Sequence, residues 1–367
     1  MLLEAQARID ESPRASTTQP PTLEILAELG LIDEYIRVGL IARTFEFWDR
    51  PALKRIAVFD FERLRDETDF PFVVQTEQHK LANMALERLR RMPNVEVHLG
   101  TPVTSLSQDE DRVTVEAGEN RFDADYVISA DGGRSTVRKN LGIEFEGYTW
   151  PERFLVITTK FDFAAALGVC FRNYMADPEE WTNLFKVAGD DLQGRWRAVF
   201  NTRPDETDEE ALSDSAVRAR LGRIYVPETE RGYVHLNLYN VHQRVAKRFR
   251  KGRVFLCGDA AHVNNPIGGL GLNSGIHEAW DLAELLHRAL RGEGDELDSY
   301  EARRRPLNIE YVQEQTVANK KRLEERDAVQ RARRFDELRA IADDPARHKA
   351  FLMKASLLES ARRAIRH

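Results

Sequence analysis

At 367 residues the chain exceeds the size to which one hydrophobic core usually grows, so two domains are expected. Its 54 Lys and Arg stand against 61 Asp and Glu, a net charge of -7, which gives no basic footprint for nucleic acid. The start is acidic without a signal-type apolar core, and no later run is long and apolar enough to span a bilayer. Two cysteines are too few for a disulfide framework or metal cluster, so a cytoplasmic protein with no membrane partner is expected.

In chain order, the first periodic element is a helix over 22–31, marked by Leu23, Ile25, Leu26, Leu29 and Leu31. Residues 45–60 alternate as strands do. The run Phe70-Pro71-Phe72-Val73-Val74 leads through Gln75-Thr76-Glu77 into a helix over 76–91, and short strands follow near 95–99 and 113–115. Tyr126-Val127-Ile128-Ser129-Ala130 is a buried-strand signature that ends in Asp131-Gly132-Gly133-Arg134-Ser135-Thr136-Val137-Arg138. Asp131 and Gly132 make the turn and Ser135 is the N-cap of the next helix. Arg138 lies in the first turn, where a cation is unfavourable, and that points to a ligand. Residues 153–162, 196–201 and 232–239 alternate again and predict a mostly antiparallel sheet.

The stretch from Gly252 to Asn273 is the most specific. Val254-Phe255-Leu256-Cys257 has the apolar character of a strand buried in a parallel sheet, and Cys257 reads as a small buried residue. Gly258 turns the chain, which places Asp259 at a strand's carboxyl end, where open α/β sheets bind ligands. Gly268, Gly269 and Gly271 let bare backbone approach a flat or anionic ligand, with the amides at the start of a helix over 276–286 facing it. His262 reads as part of the turn; the nine histidines show no metal-ligand spacing, and no Ser-His-Asp set can be argued. From Tyr300 the composition changes to Arg, Glu, Lys, Ala and Leu. Residues 320–339, dense in charges of both signs, predict solvated helices with an interaction face, which leaves a homodimer open.

The string Gly258-Asp259-Ala260-Ala261-His262, then Pro266 and Gly268-Gly269-Leu270-Gly271-Leu272-Asn273, resembles the second flavin motif of the class A flavoprotein monooxygenases, the p-hydroxybenzoate hydroxylase-like family. Asp131-Gly132 with Arg138 resembles that family's Asp-Gly fingerprint. The resemblance implies a Rossmann-like α/β FAD-binding domain interleaved with a mostly antiparallel β-sheet substrate domain and a helical C-terminus. The expected ranges are 1–39, 73–150 and 250–299 for FAD, 40–72 and 151–249 for substrate, and 300–367 for the C-terminal helices. It also implies that Asp259 binds the ribityl chain, and that Pro266, Gly268, Gly269, Gly271, Leu272 and Asn273 lie along the ring. Gln75 contacts the flavin and Arg14 lies near the pyrophosphate. NADH or NADPH would bind transiently as reductant, and O2 would give a flavin hydroperoxide that hydroxylates a phenolic or N-heteroaromatic small molecule. Tyr174, Trp181, Phe185, Trp196, His235, Asn237 and Tyr239 are the candidate roof residues over the substrate; no catalytic residue is assigned.

Three departures stand out. Asn265 occupies a place where proline is common, and Glu278 and Asp281 replace Asp and Asn; none of these touches the proposed ring-facing segment. At the start, Leu2-Leu3-Glu4-Ala5 matches the end of the family's second strand, with Glu4 as the ribose acid, and no GxGxxG unit precedes it. That unit's strand is central, so its absence predicts a gap in the sheet with two unpaired edges, and a chain truncated upstream of Met1 is expected. A related flavin oxidoreductase, such as a halogenase or dehydrogenase, and a non-catalytic remnant are the alternatives.

Overall fold

Val254, Phe255 and Leu256 are fully buried, which is why this short apolar run can serve as an inner strand. In the computed structural model, which describes residues 1–227, 232–294 and 296–365, Val254–Leu256 lies between Val127–Ser129, parallel to it, and Arg250–Lys251, antiparallel to it. The helix Gly271–Leu290 covers them with Leu282, Leu285 and Leu286, an i, i+3, i+4 stripe that packs on Phe255 and Tyr300. A second parallel pair joins Leu2–Glu4 to Val97–Leu99. Among the described residues, neither Leu2–Glu4 nor Val127–Ser129 has a strand on its other edge. Ile128 is 47% exposed, so the run around it is not the fully buried strand its composition predicts.

The larger sheet has eight strands. Its order runs His262–Val263, His235–Ala246, Phe145–Thr159, Arg195–Asn201, Thr182–Val187, Arg172–Ala176, Thr44–Asp49 and Lys54–Asp60. All neighbours are antiparallel except Arg172–Ala176 with Thr44–Asp49. Strand alternation gives it two unlike faces. One carries Leu155, Ile157, Leu184, Trp196, Ala198 and Phe200 against the helix Asp214–Ile224. The other carries Phe45, Phe47, Phe59, Tyr174, Phe185 and Tyr239 against Ile267 and the C-terminal helices.

Those helices differ from the expectation of solvated charge. Phe335, Leu338, Leu352 and Leu358 are buried against the aromatic face, while the charges pair at its rim, as in Arg334 with Glu325 at 2.9 Å and Lys349 with Asp66 at 2.7 Å. Mixed charge marks the outer side of an amphipathic helix as readily as a free one. The helix over 22–31 begins earlier than predicted, at Pro20–Glu28, because two prolines fit the first helical positions.

Phe59 is the hub of this contact, fully buried and stacked on Phe351 at 4.4 Å and on Phe45 at 5.1 Å. Phe59→Ala is expected to lower unfolding free energy by about 3 to 5 kcal/mol, the usual cost of a large aromatic lost from a packed core. Urea titration checks it; a loss below about 1 kcal/mol would mean that the C-terminal helices do not depend on this contact.

Candidate functional site

The turn after Val254–Leu256 is built by close backbone approach. Gly258 sits at φ 58°, and a Cβ on Gly275 would come within 3.0 Å of the Gly258 Cα, so turn and helix touch through bare main chain. Glu278 fixes this crossing: Oε2 accepts the Gly258 N–H at 2.9 Å, and Oε1 pairs with His262 Nε2 at 2.7 Å and accepts from Ser274 Oγ at 3.2 Å. The pair is almost fully buried, at 0% and 1% exposure. Asp259, by contrast, is exposed, and its carboxylate makes no hydrogen bond among the described residues. Asn265, expected to stand clear of the 266–273 segment, accepts the Ile267 N–H at 3.1 Å, and Glu278 holds the strand-to-helix turn. A carboxylate on a buried position of an apolar helix face was the available signal.

From Pro266 to Gly271 the chain turns on its glycines, which are half-buried, while Ile267 and Leu270 are fully buried. Gly268 and Gly269 take φ 117° and 65°, and a Cβ on Gly269 would fall 2.9 Å from the Thr17 Cβ, so the bare main chain of this turn packs on the Thr17 side chain. Pro266 is exposed and Leu272 half-buried. Asn273 is fully buried and saturated: Oδ1 accepts from the Gln19 N–H and from Thr22 Oγ1, both at 2.8 Å, and Nδ2 donates to the carbonyls of Thr17 at 2.9 Å and Gly269 at 2.7 Å. It thus acts as a staple between the glycine turn and residues 17–22. Asn265 has a use that proline could not serve, since its N–H donates to Gln243 Oε1 at 3.1 Å.

Opposite this turn, Gln75 ends the Val73–Gln75 strand, fully buried. Its Oε1 accepts from Thr17 Oγ1 at 2.5 Å, and its Nε2 has no protein partner. Asp131 accepts from Ser129 Oγ at 2.5 Å and from the Val137 N–H at 3.1 Å, with Gly132 at φ 81° in the turn and Ser135 capping the helix as predicted. Arg138 is 4% exposed. Its guanidinium donates to the carbonyls of Ala260 and Gly133, both at 2.8 Å, and lies 3.7 Å from the Phe145 ring centroid, so it ties the two motif turns together. Glu4 stands at the end of Leu2–Glu4 and accepts the Gln6 N–H at 2.8 Å; Arg14 is bound to Asp10 at 2.6 Å on an exposed loop.

Of the candidate roof residues, Tyr174, Phe185, Asn237 and Tyr239 lie on the sheet face that meets Ile267 and Gly268, where Arg172 Nη2 reaches the Gly268 carbonyl at 3.5 Å. Trp196 does not; it packs on the opposite face against Phe163. Trp181 is buried against Phe154, and His235 is exposed. The roof residues that sequence reasoning missed are Arg172, Asn183 and Arg197. Tyr239 is half-buried as a residue beside Arg197, and desolvation of its hydroxyl pushes the pKa well up.

His262 gives the site a pH signature. Burial alone pulls its pKa down, but the Glu278 carboxylate, its hydrogen bond and then Asp259 outweigh that and hold it above the ordinary value. With the folded pKa above the unfolded one, the stabilisation is complete below about pH 6.5 and is lost as pH rises through the raised value. Urea midpoints between pH 6 and 9, at saturating FAD, should therefore fall more steeply in the parent than in Glu278→Gln; equal slopes would show that the pair is not ionic. Asn273→Ala takes a partner from the Gln19 N–H and from the Thr17 and Gly269 carbonyls, while the Thr22 hydroxyl keeps His277 Nε2 at 2.9 Å, and is expected to cost about 2 to 4 kcal/mol, given about 1 to 3 for each unsatisfied group and partial relaxation. Thermal unfolding measures it; an unchanged midpoint would deny the staple.

The family model described as "FAD binding domain" matches residues 1–315. The chain is 33% identical over 375 residues to the para-nitrophenol 4-monooxygenase of Pseudomonas sp. (strain WBC-3), covering 99% of this chain and 90% of that protein. It is 33% identical over 334 residues to a 6-hydroxy-3-succinoylpyridine 3-monooxygenase of Pseudomonas putida (strain DSM 28022 / S16), covering 88% and 82%. Among solved structures, the p-nitrophenol 4-monooxygenase of Pseudomonas putida DLL-E4 matches with a TM-score of 0.87 at 33% identity, covering 98% of this chain and 91% of that one. With both motif turns in place beneath the antiparallel roof, the chain belongs to the FAD-dependent class A aromatic monooxygenase family.

Proposed function

We propose that this protein hydroxylates a small aromatic ring bearing an ionisable oxygen, phenolic or N-heteroaromatic, with FAD as cofactor, NADH or NADPH as reductant and O2 as oxidant. The observation that carries the reading is the bare glycine turn at 268–271 facing a polar roof, with Gln75 Nε2 buried and unpartnered beside it. These residues fit a flavin. In this reading Asp259 takes the ribityl hydroxyls, Glu4 the ribose, Arg14 the pyrophosphate, and Gln75 with the backbone of 266–273 the ring. FAD, when bound, supplies the redox chemistry that makes an oxygen atom of O2 electrophilic.

The protein's part is to bind, orient and keep dry. Residues 1–39, 73–150 and 250–299 hold the cofactor; 40–72 and 151–249 cover the substrate; the helices after 300 brace the cover. A ring hydroxyl, ionised on the roof side, makes the ring electron-rich enough to attack such an oxygen. The names of the two curated relatives support this choice, since one acts on a nitrophenol and the other on a hydroxypyridine. The net charge of -7 favours small-molecule chemistry over any nucleic-acid role.

The test is to load the purified protein with FAD and follow NADH, NADPH and O2 consumption with 4-nitrophenol and hydroxypyridines as probes. Phenol-dependent consumption with a hydroxylated product is expected; consumption that no aromatic probe alters, or none at all, would overturn the reading. Asp259→Ala should raise the FAD dissociation constant roughly tenfold to a hundredfold, the cost of losing a charged hydrogen bond. An unchanged constant in the folded variant would mean that Asp259 does not hold the cofactor.

A further inference from the structure

The roof carries more unpaired polarity than its own fold explains. Register puts Arg172 beside Phe185, Phe185 beside Arg197 and Arg197 beside Thr158, in one cross-strand row on the face above Gly268. In the next row Tyr174 stands beside Asn183, Asn183 beside Val199, and Val156 beside Asn237. Arg172, Arg197, Thr158 and Asn183 are all buried, at 6%, 4%, 6% and 6% exposure. Arg172 Nη1, Arg197 Nε, Thr158 Oγ1 and Asn183 Oδ1 have no protein partner, so four orphaned polar atoms fall within two adjacent rows.

Neither arginine has a carboxylate within ion-pair distance among the described residues. Arg197 Nη1 donates to the Arg14 carbonyl at 3.0 Å, and Glu77, the acid that bears on it, is bound to Lys80 at 2.8 Å. Arg172 Nη2 donates to Tyr174 Oη at 3.2 Å and reaches the Gly268 carbonyl at 3.5 Å, and its guanidinium lies 5.4 Å from the Phe45 ring centroid. A buried cation without a counterion is strongly unfavourable, and so is a buried donor without an acceptor. Because Tyr174 already accepts from Arg172, its O–H is left to donate. Guanidinium and phenol O–H together make a two-donor seat for one anionic oxygen beside the ring-facing turn.

Resting on the aromatic-hydroxylase reading, we propose that Arg172 with Tyr174 is the specificity determinant of this site, seating the ionised oxygen of a phenolate substrate. Neutral aromatic rings of the same shape are discriminated against because they leave both donors unpaired. Arg197, two strands away and about 10 Å distant along the sheet, lies beside the Arg14 loop and is not part of this seat.

The experiment titrates the FAD-loaded protein, without reductant, with 4-nitrophenol above its own pKa and with the neutral ether 4-nitroanisole, following flavin absorbance. The parent is expected to bind the phenolate at least tenfold more tightly than the ether. Arg172→Gln should lose roughly tenfold to a hundredfold in phenolate affinity, with ether affinity and flavin content unchanged. Arg172→Lys should recover part of the loss. Tyr174→Phe, which removes one hydroxyl and little volume, should weaken the phenolate several-fold and leave the ether unaffected, even if Arg172→Gln folds poorly. A phenolate preference that survives in Arg172→Gln and Tyr174→Phe would overturn the proposal, as would a loss of FAD affinity in place of phenolate affinity. If no phenol is hydroxylated yet the preference depends on Arg172, the functional reading fails and the seat stands; the reverse pattern separates them the other way.

Discussion

A flat cofactor can lie against main chain only where side chains are absent and the freed backbone groups are held from behind. Gly268, Gly269 and Gly271 meet the first condition, and Asn273 does most of the holding. Its four hydrogen bonds draw the Gly269 carbonyl, the Thr17 carbonyl, the Gln19 N–H and the Thr22 hydroxyl to one point. The other placements follow from that. The Thr17–Thr18 strand brings Gln75 over the turn, the helix from Gly271 carries Glu278 back to Gly258, and His262 continues into the edge strand of the roof sheet. The parallel-strand layer and the eight-stranded sheet are therefore joined through the motif itself.

The roof divides its two faces sharply. One is an ordinary core of Leu155, Ile157, Trp196 and Phe200; the other mixes aromatic packing with buried guanidinium, amide and hydroxyl groups. Such polarity costs stability in the free protein, and a fold keeps it where a ligand repays the desolvation. The C-terminal helices cover the aromatic part of that face, with Phe351 stacked on Phe59 at 4.4 Å.

What could be read from the sequence was what the backbone itself demands. Gly258, Pro266, Gly268 and Gly269 mark turns that few other residues allow, Ser135 caps the helix that its neighbours predict, and Val254-Phe255-Leu256 is a strand by composition alone. What depended on parity was lost. In Arg195–Asn201 the aromatic Trp196 is the candidate that its ring suggests, yet adjacent strand residues point to opposite faces, and it is Arg197 that shares the face of Phe185. The strands Arg172–Ala176 and Thr182–Val187 escaped because their polar members, Arg172, Asn173 and Asn183, hide the alternation. Glu278 and Asn265 looked like departures from a motif, and only their partners, 20 and 22 residues away, reveal them as supports.

The central claim is that this glycine turn and its roof serve transfer of one oxygen atom from O2 to an aromatic ring. Turnover of a phenolic probe by the FAD-loaded protein under isotopically labelled O2 in ordinary water tests it directly. The account predicts one labelled oxygen atom in each molecule of ring product, formed as NADH or NADPH is consumed. Product oxygen drawn from water, or reductant consumed with all the label ending in peroxide, would contradict it.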